Sequence, residues 1–162
     1  MPEAETQIDN CDFLFLTEIQ ELGGNRLRLI VHEGKSTGES KTITVGESAI
    51  RDCTPIEITP ESAAFEIVWP HYVAYAVLNE SYASQPNAEQ LFKGKRFRIY
   101  EKSFFRDYLS RSTFATDEYP GPLLHFEICS EDQIVNVVST VSPTITTVEA
   151  LTGTERRQSF RM

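Results

Sequence analysis

The hydrophobic residues of this chain fall mainly in short runs that alternate with polar residues, which is the pattern of half-buried β-strands. Residues 26–33 show it most clearly, because Leu27, Leu29 and Val31 share one face of an extended segment. The preceding residues 12–20 are rich in Phe and Leu, and glycines lie between the two segments. Glycine supplies the positive φ that tight turns need, so the two segments predict an antiparallel hairpin.

Further strands are predicted in the middle and late parts of the chain. Residues 123–129 and 133–139 are rich in β-branched and aromatic side chains and predict a second hairpin. Residues 63–69 and 72–78 predict two strands that pair with each other across the Pro70-His71 break. Residues 95–100 alternate again, which indicates a further strand.

One convincing helix is predicted, near 103–110. Ser103 is a favourable N-cap residue, and Phe104, Phe105, Tyr108 and Leu109 would form a buried stripe along the helix. With about seven to nine strands, this predicts a mainly β fold: an antiparallel sandwich or partly open barrel with one short helix. We expect residues 1–145 to form a single β-rich domain that starts with an acidic lead-in, and 146–162 to form a loosely held C-terminal tail.

The composition indicates the cellular compartment and the class of partner that we expect. Three widely spaced cysteines, Cys11, Cys53 and Cys129, argue against a disulfide framework and favour a reducing compartment. The first residues show no secretory signal, and the apolar runs are too short to span a bilayer, so we expect a cytoplasmic protein without a membrane partner. The net charge of −9 disfavours nucleic acid and suits a basic protein partner or simple solubility.

The sequence carries no familiar catalytic motif. The nucleophile elbow, the phosphate-binding loop and the zinc-protease pattern are all missing, so no catalytic residue, metal ligand or cofactor is predicted. His125, Glu127 and Cys129 alternate onto one face of a strand, but a site would need partners from other strands. The simpler interpretation is the mixed polar face of a half-buried strand.

A set of aromatic and charged residues is the strongest candidate for a binding site. Tyr and Arg are frequent in binding hot spots, although both are also ordinary residues at sheet rims. The candidate residues are Tyr72, Tyr75, Asn79, Glu80, Arg96, Arg98 and Tyr100. If strands 72–78 and 95–100 lie in one sheet, we expect these side chains to share one partly exposed surface.

The segments Phe65 to Tyr82, Phe97 to Phe105 and Gly121 to Val138 resemble an uncharacterised bacterial family of small β-rich single-domain proteins. Some members of that family look like candidates for immunity proteins that neutralise a toxin. The resemblance covers about residues 65–143 and implies no catalytic residues.

Two functions therefore stay open at the level of sequence. The first is a non-enzymatic protein-binding domain, immunity-like, with a basic protein partner. The alternative is a small-ligand-binding or enzymatic β-barrel domain with a pocket near His125, Glu127 and Arg98, either inside the barrel or under the helix at 103–110. A pocket in which those three side chains converge would favour the alternative, and a flat exposed surface of Tyr and acidic residues would favour the first. The sequence defines no oligomeric state.

Overall fold

The computed structural model describes residues 3–36, 38, 40–84, 87–150 and 158–161. Its elements in chain order are α1 (Glu3–Asp9), β1 (Phe13–Gly23), β2 (Arg26–Ser36), β3 (Lys41–Val45), β4 (Ser48–Glu57), β5 (Ala64–Trp69), β6 (Tyr72–Asn79), a 3₁₀ turn (Glu80–Tyr82), β7 (Leu91–Lys93), β8 (Phe97–Lys102), α2 (Phe104–Ser112), β9 (Leu124–Cys129), β10 (Gln133–Ser139), β11 (Thr144–Val148) and β12 (Gln158–Arg161).

These strands form two antiparallel sheets, which confirms the predicted mainly β sandwich. The seven-stranded sheet has the order β11-β5-β2-β4-β12, with β1 paired to β2 and β3 paired to β4. The five-stranded sheet has the order β6-β10-β9-β8-β7. Both predicted hairpins, β1–β2 and β9–β10, are present and antiparallel.

The core lies between the two sheets. Leu27, Leu29 and Val31 of β2 are buried there, as their alternation predicted. Trp69 of the seven-stranded sheet lies 5.9 Å, ring centre to ring centre, from Phe126 of the five-stranded sheet. Large aromatic rings in such tilted contacts contribute packing beyond their buried area and hold the layers together.

Two expectations about the strands were wrong. Residues 63–69 and 72–78 do not pair with each other, because β5 joins β2 and β11 while β6 joins β10 in the other sheet. The short Pro70-His71 link therefore crosses from one layer to the other instead of forming a hairpin. The described residues also contain twelve strands rather than seven to nine, because residues 41–57 form a further hairpin, β3–β4, and because β7, β11 and β12 are short additional strands.

The described residues near both ends of the chain contain secondary structure that was not expected, while residues 151–157 and 162 of the expected tail lie outside the described part. The expected acidic lead-in contains helix α1, whose Ile8 is completely buried in the core. One carboxylate oxygen of Asp9, Oδ1, accepts hydrogen bonds from three successive backbone amides, those of Lys95, Arg96 and Phe97, at 2.8–3.0 Å. The expected tail boundary at residue 145 cuts through β11, which pairs with β5.

Helix α2 is present and begins as predicted, with the Ser103 hydroxyl accepting a hydrogen bond from the backbone N–H of Arg106 at 3.0 Å. Its predicted buried stripe is correct only in part, because Leu109 is buried whereas Phe104 and Tyr108 are exposed. The helix packs on the outer face of the five-stranded sheet. A second, smaller hydrophobic cluster that includes Leu109, Leu123 and Val138 joins the two.

The three cysteines are free and buried, which confirms the prediction of three thiols without a disulfide. Among the residues that the structure describes, no helix is long and apolar enough to cross a membrane.

Candidate functional site

The candidate site lies on the outer face of the five-stranded sheet, beneath α2. Antiparallel register places Arg98 of β8 opposite Glu127 of β9, and Glu127 opposite Asn136 of β10. Two residues further along β8, and therefore on the same face of the sheet, Tyr100 lies opposite His125. Residues that face each other in neighbouring strands point to the same side of a sheet. The pairing of three strands therefore brings these five polar side chains together.

Glu127 is the centre of this cluster. Its Oε1 atom accepts hydrogen bonds from Arg98 Nη1 at 2.7 Å, from the Tyr100 hydroxyl at 3.1 Å and from Cys129 Sγ at 3.4 Å. None of the described residues donates to the other carboxylate oxygen, Oε2. A buried carboxylate is stable only when it is paired and hydrogen-bonded. Glu127 meets that condition at one oxygen and keeps the second available.

His125 is almost completely buried beside this network. Its ring stacks on Tyr100, with 4.4 Å between the ring centres, and its Nε2 lies 2.9 Å from the amide oxygen of Asn136. Because an amide oxygen can only accept, Nε2 carries the proton and Nδ1 carries a lone pair. Nδ1 is buried without a hydrogen-bond partner among the described residues. Burial lowers the pKa of His125 to about 4, so the ring is neutral at neutral pH.

The donors around Glu127 keep their protons. Burial, together with the charge of Glu127, raises the pKa of the Cys129 thiol to about 12. The same two causes, burial first, raise the pKa of the Tyr100 hydroxyl. Both groups therefore remain neutral hydrogen-bond donors at physiological pH.

A pocket of about 400 Å³ opens onto this cluster. Arg98, Tyr100, His125, Glu127 and Asn136 lie on its sheet side. Its other lining residues include Phe104, Phe105 and Tyr108 of α2 and, from the sheet, Leu78 and Ile134. A few converging polar groups inside an aromatic and aliphatic wall is the usual composition of a small-molecule site.

Helix α2 is fixed over the pocket at its N-terminal end. The side-chain oxygen of Gln90 accepts a hydrogen bond from the backbone N–H of Phe104 at 3.2 Å. The Arg106 guanidinium donates to the carbonyl oxygens of Leu123 and Glu101, at 3.2 and 3.1 Å. These contacts tie the helix to the sheet and hold the aromatic wall over the polar floor.

A second hollow, of about 290 Å³, adjoins the pocket and shares Arg98 with it. Arg98 also lies with its guanidinium carbon 4.7 Å from the ring centre of Phe92, in a cation–π contact. Arg96 and Glu80 line this second hollow. Arg96 is held there by an ion pair with Glu131, at 3.1 Å between nitrogen and oxygen.

The residues predicted from the sequence are thus divided between several places. Arg98 and Tyr100 lie in the pocket, Arg96 and Glu80 in the neighbouring hollow, and the Asn79 side chain caps the 3₁₀ turn by accepting from the Ser81 N–H at 2.9 Å.

Tyr72 and Tyr75 lie elsewhere, so the structure does not form the single surface that we expected. Tyr75 is opposite the core residue Val137 and packs against the core between the sheets. Its hydroxyl donates to Glu21 at 2.8 Å, and its ring meets Tyr72 edge-on at 5.3 Å. Tyr75 therefore faces the opposite side of the sheet from Arg98 and Tyr100.

Asn136 was not predicted from the sequence as part of the site, whereas a pocket under the helix at 103–110 was one of the two predicted locations. The sequence pattern could have indicated Asn136, because it is the one amide side chain within a run of Ile and Val residues in a predicted strand. A polar residue at such a position needs a buried partner. Phe105 and Tyr108 were predicted to belong to the buried stripe of the helix, and their position in the pocket lining could not be predicted because it depends on where the helix packs.

No protein-family model matches the chain, and no similar curated protein or solved structure was found. Within the described part of the chain, no group of three or more His, Cys, Asp or Glu side chains is arranged to hold a metal ion.

Proposed function

We propose that this protein binds a small organic ligand in the pocket beneath α2. The observation that carries the proposal is the Arg98–Glu127 pair, which lies largely buried under a helix and has one carboxylate oxygen without a donor among the described residues. An apolar pair of similar volume would stabilise the fold at least as well, since removing two charges from water is costly. The polar floor is therefore better explained by recognition of a ligand than by stability.

The shifted pKa values support binding rather than acid–base or nucleophilic catalysis. A general acid or base works best when its pKa is close to the working pH, whereas His125 has a pKa of about 4. A cysteine nucleophile has to be a thiolate, whereas the pKa of Cys129 is about 12. In this proposal the polar groups orient the ligand and leave it chemically unchanged.

The experiment is to detect a small molecule that copurifies with the protein and to block its pocket. Ala76 lies in β6 and lines the pocket, so Ala76→Trp would fill the space above the sheet. Native mass spectrometry should detect a bound small molecule on the wild-type chain and a strong loss of it from the variant. Ala49→Trp, at an exposed position of β4, is the matched control. Equal occupancy of the wild type and Ala76→Trp would refute the proposal.

A second candidate function, binding of a basic protein, is favoured by the loop at 113–121. Phe114 and Tyr119 are 82% and 64% exposed and stack on each other with 6.1 Å between ring centres. Asp117 and Glu118 are exposed in the same loop. Exposed aromatic residues next to acidic ones suit a basic segment of another protein. The resemblance to toxin-immunity candidates agrees with this second candidate.

The two functions can be separated by variants of the loop and of the pocket. A Phe114→Ser/Tyr119→Ser variant should lose a captured basic protein while keeping its small ligand, and Ala76→Trp should do the opposite. The association rate of the captured partner should also fall steeply with added salt, because the Debye length shrinks from about 10 Å at 0.1 M to about 3 Å at 1 M. An on-rate that salt does not change would refute the charge argument.

A further inference from the structure

The chemistry of the pocket also indicates which ligands it accepts, an inference that rests on the proposed small-ligand function. The only charged side chains on its lining are Arg98 and Glu127, among the residues that the structure describes, and they neutralise each other at 2.7 Å. His125 adds no charge, because its buried ring is neutral at neutral pH. An anionic ligand would be attracted by Arg98 but repelled by Glu127. A cationic ligand would be attracted by Glu127 but repelled by Arg98.

The same pair offers both kinds of hydrogen-bonding group side by side. The Arg98 guanidinium has five N–H donors and gives one of them to Glu127. The Glu127 carboxylate receives all three of its hydrogen bonds at Oε1, which leaves Oε2 as an acceptor. A ligand group that has an N–H next to a C=O can donate to Oε2 and accept from Arg98 without bringing a net charge.

The walls of the pocket suit a flat apolar body attached to that group. Phe104, Phe105 and Tyr108 line one side, and the small side chain of Ala76 leaves room on the sheet opposite. Aromatic side chains favour stacked or edge-on contacts with other rings. A volume of about 400 Å³ is sufficient for a one- or two-ring compound, since ligand pockets range from about 300 to 1,000 Å³.

We propose that the pocket is specific for uncharged aromatic or heteroaromatic amides, with the amide edge on the Arg98–Glu127 pair and the ring against α2. This class includes carboxamides and ring systems with a lactam edge. It does not include free carboxylic acids or amidines of the same shape.

Three probes of nearly equal size test the proposal. Benzamide is neutral, benzoate is anionic and benzamidine is cationic, and all three have the same ring. Each is titrated into the full-length protein, and the chemical-shift changes of the backbone amides give the dissociation constant. We expect benzamide to bind about tenfold more tightly than either charged probe, a difference of the size of one well-made hydrogen bond to a charged group. Ala76→Trp should abolish the shifts at the pocket residues, and Ala49→Trp should leave them unchanged.

Two substitutions should change the preference in opposite directions. Glu127→Gln leaves Arg98 as the only charge, so benzoate should bind more tightly than benzamide. Arg98→Gln leaves Glu127, so benzamidine should bind more tightly than benzamide. The wild-type ranking does not depend on these variants and tests the proposal even if one of them fails to fold.

The outcomes distinguish this inference from the small-ligand function itself. Tighter binding of benzoate or benzamidine to the wild type would overturn the amide specificity while leaving the pocket a ligand site. Absence of binding by all three probes would also overturn it, and the copurifying molecule would then decide the function. If Ala76→Trp changes neither probe binding nor the copurifying molecule, both proposals fail.

Discussion

Removing Glu127 tests whether the polar cluster under α2 is a coupled unit. In Glu127→Leu, the Arg98 guanidinium loses its counter-ion, and Tyr100 and Cys129 lose their hydrogen-bond acceptor. Breaking a fully buried ion pair from one side costs about 3–5 kcal/mol. The side chains of Glu127 and Arg98 are 11% and 22% exposed, so we expect a smaller loss than for a fully buried pair, about 2–3 kcal/mol in the free energy of unfolding.

A double variant measures the interaction between Arg98 and Glu127 separately from the contacts that each residue makes with its other neighbours. In Arg98→Met/Glu127→Leu no unpaired charge remains, so the loss should be much smaller than the sum of the two single losses. We expect a coupling energy of about 2 kcal/mol from the four proteins of the cycle. Urea denaturation measures it, provided that the slope of the free energy against urea concentration stays constant across the series.

An exposed ion pair in the same sheet provides the matched control. Lys93 and Glu101 lie 3.2 Å apart, nitrogen to oxygen, and are 74% and 61% exposed. Solvent screening limits such pairs to about 0.2–1 kcal/mol. The cycle of Lys93→Met with Glu101→Leu should therefore give a much smaller coupling energy. Equal coupling energies in the two cycles would refute the view that burial makes the Arg98–Glu127 pair different.

Three further predictions concern stability and reactivity. Asp9→Ala should lower the free energy of unfolding by about 2–4 kcal/mol, because three backbone amides, two of them in partly buried hydrogen bonds, lose a charged acceptor. Asp9→Asn keeps an acceptor and should cost less, and equal losses in urea denaturation would contradict this. Iodoacetamide at pH 8 should leave Cys11 and Cys129 unmodified in the folded protein, since burial raises their pKa values to about 11 and about 12. After unfolding it should modify all three cysteines, and mass spectrometry measures the number of modified thiols. Because the pKa of His125 is about 4 when folded and about 6.5 when unfolded, the unfolded chain binds more protons between those values. The free energy of unfolding should therefore decrease as pH falls from about 6.5 to about 4, by about 3 kcal/mol more in the wild type than in His125→Gln. Parallel profiles of unfolding free energy against pH for the two proteins would refute this prediction.

The sequence was sufficient for the features that short-range interactions decide. The hairpin of β1 and β2 follows from the alternation of Leu27, Leu29 and Val31 and from glycines in the turn, all within residues 13–36. The start of α2 follows from one side chain, Ser103, which binds an amide three residues away. Such features form from neighbours along the chain, so the sequence alone predicts them.

Partners that are distant along the chain were not predictable in this way. Asp9 stabilises amides 86–88 residues away, and nothing in the acidic segment around it indicates that contact. The partners of β5 and β6 were wrong for a related reason. Every strand offers the same backbone donors and acceptors, so alternation defines which face is buried but not which strand lies alongside.

The candidate site shows the same division between sequence and tertiary structure. Alternation along β9 by itself placed His125 and Glu127 on one face, and alternation along β8 placed Arg98 and Tyr100 together. Only the register of the assembled sheet put these two pairs opposite each other and turned Tyr75 toward the core. Only the packing of α2 covered them with aromatic side chains. Side-chain direction is a local property of each strand, whereas the side chains that meet across a sheet are fixed by strand order and packing of the whole fold.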